Sequence, residues 1–285
     1  MVWQGINNHT KSLGISGFKK EFWRQYMKKI IAFVAAALAF ASVNAQKVLK
    51  VGATPEPHAD LLNLVKDDLK AEGITLQVIE MTDYPTLNEV LEAGDIDANF
   101  DQHLPYMESF NKEKGTHLVA VAGIHVEPFA LYSKKVKSIK DFKKKAVIAI
   151  PNDPTNEARA LLLLQESGLI TLRDGAGIEA TPIDVKNNPL KIKFREIEGA
   201  SLPRVLNDVD GAVINGNYAL PAGLSAKKDG LFVEGSSSPY VNYLVVKQGS
   251  ENKPEIKALV KALQSQKVKD YINNKYPNGE VVAAF

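Results

Sequence analysis

The 285-residue sequence contains no cysteine, which removes disulfides, thiolate metal sites and a cysteine nucleophile from consideration. It also lacks the compact signatures of catalysis. No phosphate-cradling Walker run, no His-Glu-x-x-His and no Gly-x-Ser-x-Gly occurs. There is no internal repeat, no low-complexity tract and no apolar run of the ~20 residues that span a bilayer. Histidine is scarce, and none pairs with another at metal-ligand spacing on a helix. Neither a metal nor a cofactor is therefore expected. With 45% hydrophobic and 24% charged residues, the chain has the balance of an ordinary globular protein, long enough for one large core or two of moderate size.

The formal net charge of +2 depends on the first 45 residues. Lys28 and Lys29 precede a continuous apolar run at 30–41, followed by Val43-Asn44-Ala45. This order reads as a secretory signal peptide over 27–45, with cleavage before Gln46 and release to the periplasm. Residues 1–26 are polar and aperiodic and precede a natural start at Met27, so they read as a spurious extension. Without residues 1–45 the chain carries 29 basic and 32 acidic residues, a net of −3. That balance leaves no electrostatic footprint for nucleic acid.

From residue 48 onward, short β-rich runs alternate with helical periodicity. Strands are expected at 48–53, 74–81, 118–124, 129–133, 147–150, 192–197, 212–214 and 240–246. Helices are expected at 61–69, 87–93, 157–166, 256–263 and 268–276. Alternation of this kind implies an α/β fold of parallel sheets with helical crossovers. Two lobes follow, one of 46–132 plus 240–285 and one of 133–239, crossed near 132–136 and 236–240. A ligand cleft would lie between them at the strand ends.

Two loose motifs carry little weight. Residues 175–180 fit the dinucleotide pattern but follow no clear strand, and Pro182 spoils the helix they would open. Residues 225–228 fit Ser-x-x-Lys without the motifs that accompany it in enzymes. Three other features are more informative. In 154–159 (PTNEAR), Thr155 or Asn156 is a suitable N-cap, which puts Arg159 near a positive helix end, where an anion would balance it. A solvated surface arginine is the plain alternative. Phe100, His103 and Tyr106 stand three apart, with Tyr84 just after a strand. Pro85 and Pro105 suggest rigid loops there, and the rings suit either an aromatic pocket or a satellite core. Asn215 and Asn217 follow one strand and Asn242 begins another. Strand-end asparagines adjoin a cleft, or serve turn chemistry.

The segments VGATPEPHADLL, DYPTLN, NFDQHLPYM, IAIPNDPTNEARALLLLQ, GAVINGNYA and SPYVN resemble, in order, those of the methionine-binding lipoproteins of ABC importers, the NlpA-type substrate-binding proteins. The resemblance runs from about Lys47 to the C-terminus. It implies a two-lobed periplasmic-binding-protein fold that closes on methionine (L-, with D-methionine or short methionine peptides as further candidates). It further implies an ABC permease and its ATPase as partners, and no enzymatic activity. By the resemblance, Arg159 would clamp the carboxylate, and Asn215 and Asn242 would hold the polar end, with Asn242 on the ammonium. Tyr84, Phe100, His103 and Tyr106 would enclose the thioether, with Asn156 and Asn217 as neighbours. Members usually carry a lipidated cysteine after the signal peptide. Its absence here leads to the expectation of no lipid anchor. A receptor for another small amino acid, or a surface antigen or adhesin that has lost transport, are the alternatives.

Overall fold

The computed structural model describes residues 23–29, 47–235 and 238–285. Residues up to Gln46 form a unit of their own, of which 23–29 is a helix. The readings of 1–26 as an extension and 27–45 as a signal peptide fall mostly outside the described residues.

In chain order the strands are β1 Lys47–Ala53, β2 Ile74–Glu80, β3 Ala98–His103, β4 Leu118–Val126, β5 Ala130–Tyr132, β6 Val147–Pro151, β7 Thr171–Leu172, β8 Val185–Asn187, β9 Lys193–Ile197, β10 Gly211–Ile214, β11 Gly230–Val233, β12 Val241–Lys247 and β13 Val282–Ala283. They build two large sheets, ordered β13-β4-β12-β3-β1-β2 and β11-β5-β10-β6-β9, and a small hairpin of β7 and β8. Each large sheet has a parallel nucleus, β2-β1-β3 in the first and β10-β6-β9 in the second. Around these nuclei β12, β13, β5 and β11 pair antiparallel. The expectation of parallel sheets thus holds for the nuclei and fails for the strands next to the points where the chain changes sheet and for the C-terminal β13. A strand arriving from the other lobe needs no helical crossover, so it is free to run either way.

Strand β5 also corrects the expected boundary. Ala130–Tyr132 belongs to the second sheet, so the chain crosses at 127–129 and not at 132–136. The return runs through 234–240, between β11 and β12.

Each sheet buries its faces under helices. In the first lobe Leu49, Val51 and Phe100 pack with Ile256, Leu259, Leu263, Val268 and Ile272 from helices Pro254–Leu263 and Gln266–Lys275. In the second, Ile148, Ile150 and Val213 meet Leu161 and Leu164 of helix Pro154–Glu166. Ala149, Ala212 and Ile214 form a further cluster with Leu202 and Leu206.

The prolines that suggested loops open helices instead. Pro85 lies in the first turn of Tyr84–Ala93, capped by Asp83, and Pro105 in that of Leu104–Lys114, capped by His103. Proline suits that position because its missing N–H would have no intrahelical partner and its φ is already helical. Phe100 is likewise not where an enclosing ring would be. It is fully buried, with ring centroids 4.7 Å from His58 and 5.3 Å from His125. Phe100→Ala should therefore destabilise the ligand-free protein by about 3–5 kcal/mol, as large-to-small core changes do. Urea unfolding measures it, and an unchanged midpoint would return Phe100 to a cleft-facing role.

Candidate ligand-binding site

Asp153 sets the first wall. Its carboxylate caps helix Pro154–Glu166 by accepting from the Asn156 N–H at 3.0 Å. The cap lies two residues before Thr155 and three before Asn156, so Arg159 lies in the second turn, where the helix dipole acts weakly. Its partners have to be sought elsewhere. The guanidinium donates from Nε to Glu234 Oε1 at 2.9 Å, from Nη2 to Glu234 Oε2 at 2.5 Å, and from Nη2 to the Glu127 carbonyl at 3.1 Å. Its carbon lies 4.7 Å from the Phe129 ring centre and 4.2 Å from that of Tyr240. Arg159 is 5% exposed, so the solvated-surface alternative fails. The expected anion partner is present within the chain itself, as Glu234.

Asn156 ties the lobes together. Its Oδ1 accepts from Asn215 Nδ2 at 2.9 Å and faces His103 Nε2 at 3.2 Å. His103 Nδ1 accepts the Tyr106 N–H, which leaves the proton on Nε2 to be donated. Burial, then the Arg159 charge, pushes His103 down to about 3, so the ring is neutral at physiological pH. Two further bonds cross the cleft: Tyr84 OH donates to Asn217 Oδ1 at 2.6 Å, and Tyr218 OH to the Thr82 carbonyl at 2.6 Å.

Tyr84, His103, Tyr106, Asn156, Arg159, Asn215, Asn217 and Asn242 line one cavity, together with Asp101, Gln102, Glu127 and Gly216. Of the expected residues only Phe100 is elsewhere. The cavity measures ≈ 20 Å³, room for one or two waters. An amino acid would enter only if the lobes part. Four of the buried polar atoms that lack a partner belong to this lining: both Asp101 carboxyl oxygens, Asn215 Oδ1 and Asn217 Nδ2. Folded proteins rarely leave such atoms unpaired, so each marks where a ligand group would sit.

Glu127 was not singled out from the sequence. It occupies the first crossing, where its Oε1 meets His125 Nε2 at 2.8 Å, His58 Nε2 at 3.4 Å and Asn242 Nδ2 at 3.4 Å. Its approach depends on Gly216, where a Cβ would stand 2.7 Å from Glu127 Oε2. Burial raises the Glu127 carboxyl and lowers His58 and His125 to about 3, which favours the neutral cluster. These three side chains are brought together although no spacing in the sequence signalled a metal site, with ligand atoms within 4.8 Å of one another. The 2.8 Å His125–Glu127 separation suits a hydrogen bond. Two donors on one tetrahedral zinc ion would stand roughly 3.3 Å apart. Asp101 and Gln102 were overlooked inside NFDQHLPYM. Glu234 carried no local signal, being 75 residues from its arginine.

Several comparisons bear on this geometry. The sequence model of the NlpA lipoprotein family matches residues 49–285. The chain is 44% identical to the D-methionine-binding lipoprotein MetQ of Escherichia coli over 211 residues, 73% of this chain and 78% of that protein. Among solved structures, it resembles a nutrient-binding protein from Burkholderia cenocepacia bound to methionine, with 45% identity and a TM-score of 0.81 over 83% of this chain and all of that one. An ABC transporter periplasmic substrate-binding protein from Coxiella burnetii matches with 41% identity and a TM-score of 0.79, again over 83% of this chain and all of that one.

These findings overturn one expectation. The expectation of no lipid anchor, drawn from the missing cysteine, does not stand, because the matching family and the Escherichia coli relative are both named lipoproteins. No helix among the described residues is long and apolar enough to cross a membrane.

Arg159→Ala should lower the stability of the ligand-free protein by about 3–5 kcal/mol, because it strands Glu234 in a largely buried setting. Adding Glu234→Ala should recover part of that loss. Denaturant midpoints of the two single variants and the double variant give the coupling directly, and an Arg159→Ala variant as stable as wild type would sink the pairing.

Proposed function

The chain belongs to the NlpA lipoprotein family, and from that footing we propose that it is a periplasmic substrate-binding protein that captures methionine for an ABC importer. The observation that carries the reading is the buried Arg159 among unpartnered polar atoms at a cleft that three side-chain hydrogen bonds hold closed. Such a lining matches the two charged ends of an amino acid. Arg159 and the free Asn217 amide N–H receive the carboxylate. The free Asn215 oxygen, Glu127 and Asn242 receive the ammonium. Of these, Glu127 is the stronger partner, since an ammonium brings the opposite charge that its buried carboxyl lacks. Tyr84, His103 and Tyr106 pack the side chain, with the sulfur beside ring edges.

Binding follows from closure. Among the described residues the chain passes between the sheets at 127–129 and between β11 and β12, so these crossings act as the hinge between a lobe of 47–126 plus 241–285 and one of 130–233. A ligand touching both lobes binds the closed form more tightly and shifts the population toward it. The closed receptor then delivers its cargo to the permease and ATPase. This is binding without turnover, a task that needs no bond broken. Export through the 27–45 segment, with cleavage before Gln46, would place the protein in the periplasm.

Methionine at 100 times its dissociation constant should stabilise the protein by about 2.7 kcal/mol, read as a rise in melting temperature. Arg159→Ala should weaken methionine by roughly 30-fold to several thousand-fold in a calorimetric titration, and Arg159→Lys should restore little because the planar fork is lost. Stabilisation by a different amino acid and not by methionine would overturn the substrate assignment while leaving the receptor reading in place.

A further inference from the structure

The head group of an amino acid accounts for every unpartnered atom of the cleft except the two on Asp101. This carboxyl is 3% exposed and neither oxygen has a hydrogen-bond partner. It owes its place to an irregularity in the first sheet. Where β12 pairs with β3, Tyr243 faces Gln102 and Leu244 faces Phe100, so Asp101 is the extra residue of a bulge. Bulges re-aim side chains, and here the side chain joins the cavity wall. It shares that wall with Tyr84 and Tyr106. Tyr106 and Tyr218 form one group with Tyr84, whose ring centre lies 5.6 Å from that of Tyr106 and 5.0 Å from that of Tyr218. Asp101 thus lines the cleft together with the Tyr84 and Tyr106 rings of this group.

We propose that Asp101 is a specificity-determining residue whose carboxylic acid donates its O–H to the sulfur of a thioether side chain, so that the cleft distinguishes methionine from a hydrocarbon of the same shape. The inference rests on the methionine reading above. An ionised carboxylate in this setting would need a cation or several donors, and none reaches it. Burial alone pushes the group well above the usual carboxylate range. A protonated acid has one hydrogen to give, and a thioether sulfur is an acceptor, although a weak one. A methylene in place of sulfur would leave the buried hydroxyl without a partner, and a cleft built around a hydrogen bond discriminates by that loss.

The test is calorimetric titration of wild type, Asp101→Asn and Asp101→Leu with methionine and with norleucine, in which a methylene replaces sulfur. Wild type should favour methionine by roughly 2- to 10-fold, the spread expected of one neutral hydrogen bond. Asp101→Leu copies the branched shape without polar atoms. It should bind the two ligands alike, and its ligand-free melting temperature should rise because an unpaired buried group is gone. Asp101→Asn keeps an N–H donor and should retain part of the preference. Equal affinities of wild type for both ligands, or an undiminished ratio in Asp101→Leu, would overturn the role of Asp101 and leave the methionine receptor intact. Failure of wild type to bind either ligand, with binding of an amino acid whose side chain carries a cation or hydroxyl, would overturn both readings and make Asp101 the acceptor for that group.

Discussion

A buried guanidinium must find a counter-charge and partners for its hydrogens, or the fold bears a penalty of several kcal/mol. Arg159 meets that demand entirely from the two segments that join the lobes. Glu127 and Phe129 come from the first crossing, Glu234 and Tyr240 from the second. The arginine belongs to a helix of the second lobe, yet it is fastened to the hinge. The cleft and the hinge are thus not separate parts. A parting of the lobes that moves helix Pro154–Glu166 against either crossing strains the same ion pair and the same ring sandwich that fix the guanidinium.

Side chains that carry only hydrogen bonds divide the remaining work. Asn156 is capped, buried and shared between His103 and Asn215, so one amide relays the position of the first lobe to the end of β10. Because His103 caps its own helix through Nδ1, its tautomer is set locally before the other lobe arrives. Gly216 leaves just enough room for Glu127. Each is a short-range device with a long-range result.

Much of this was legible in the sequence. Apolar periodicity located β1, β2, β6, β9 and β10 and the helix that bears Arg159, but not β3, whose run ANFDQH carries polar residues at buried positions. Tyr84 and the asparagines could be read as cleft candidates since they stand at strand ends, and Phe100, His103 and Tyr106 from their three-residue spacing. What could not be read has physical reasons. Strand direction in a mixed sheet depends on where the chain re-enters, which no local pattern encodes, so β5 was assigned to the wrong lobe. Phe100 lies one residue before a bulge, and a bulge reverses the faces that alternation would predict. Glu234 pairs across 75 residues, beyond the reach of any motif. The anchor was misjudged for a different reason: a count of one residue type limits the bonds those side chains form, and says nothing about how related proteins are held at a membrane.

The order of strands in the first sheet bears on when each half of the molecule can fold. The second lobe is continuous in sequence, its sheet strands running from β5 to β11, and beyond them it draws on Glu234 and Tyr240 of the return crossing for Arg159. The first lobe is complete only when β12 inserts between β4 and β3 and the last two helices cover its face. Until the final 45 residues are available, its β4 and β3 edges stay open and Leu49, Val51 and Phe100 lack their cover. Pairing over such separations is slow, since loop closure precedes its reward. A chain that emerges from its N-terminus therefore keeps its first lobe unfinished until synthesis ends, and an unfinished lobe is still able to thread through a narrow channel.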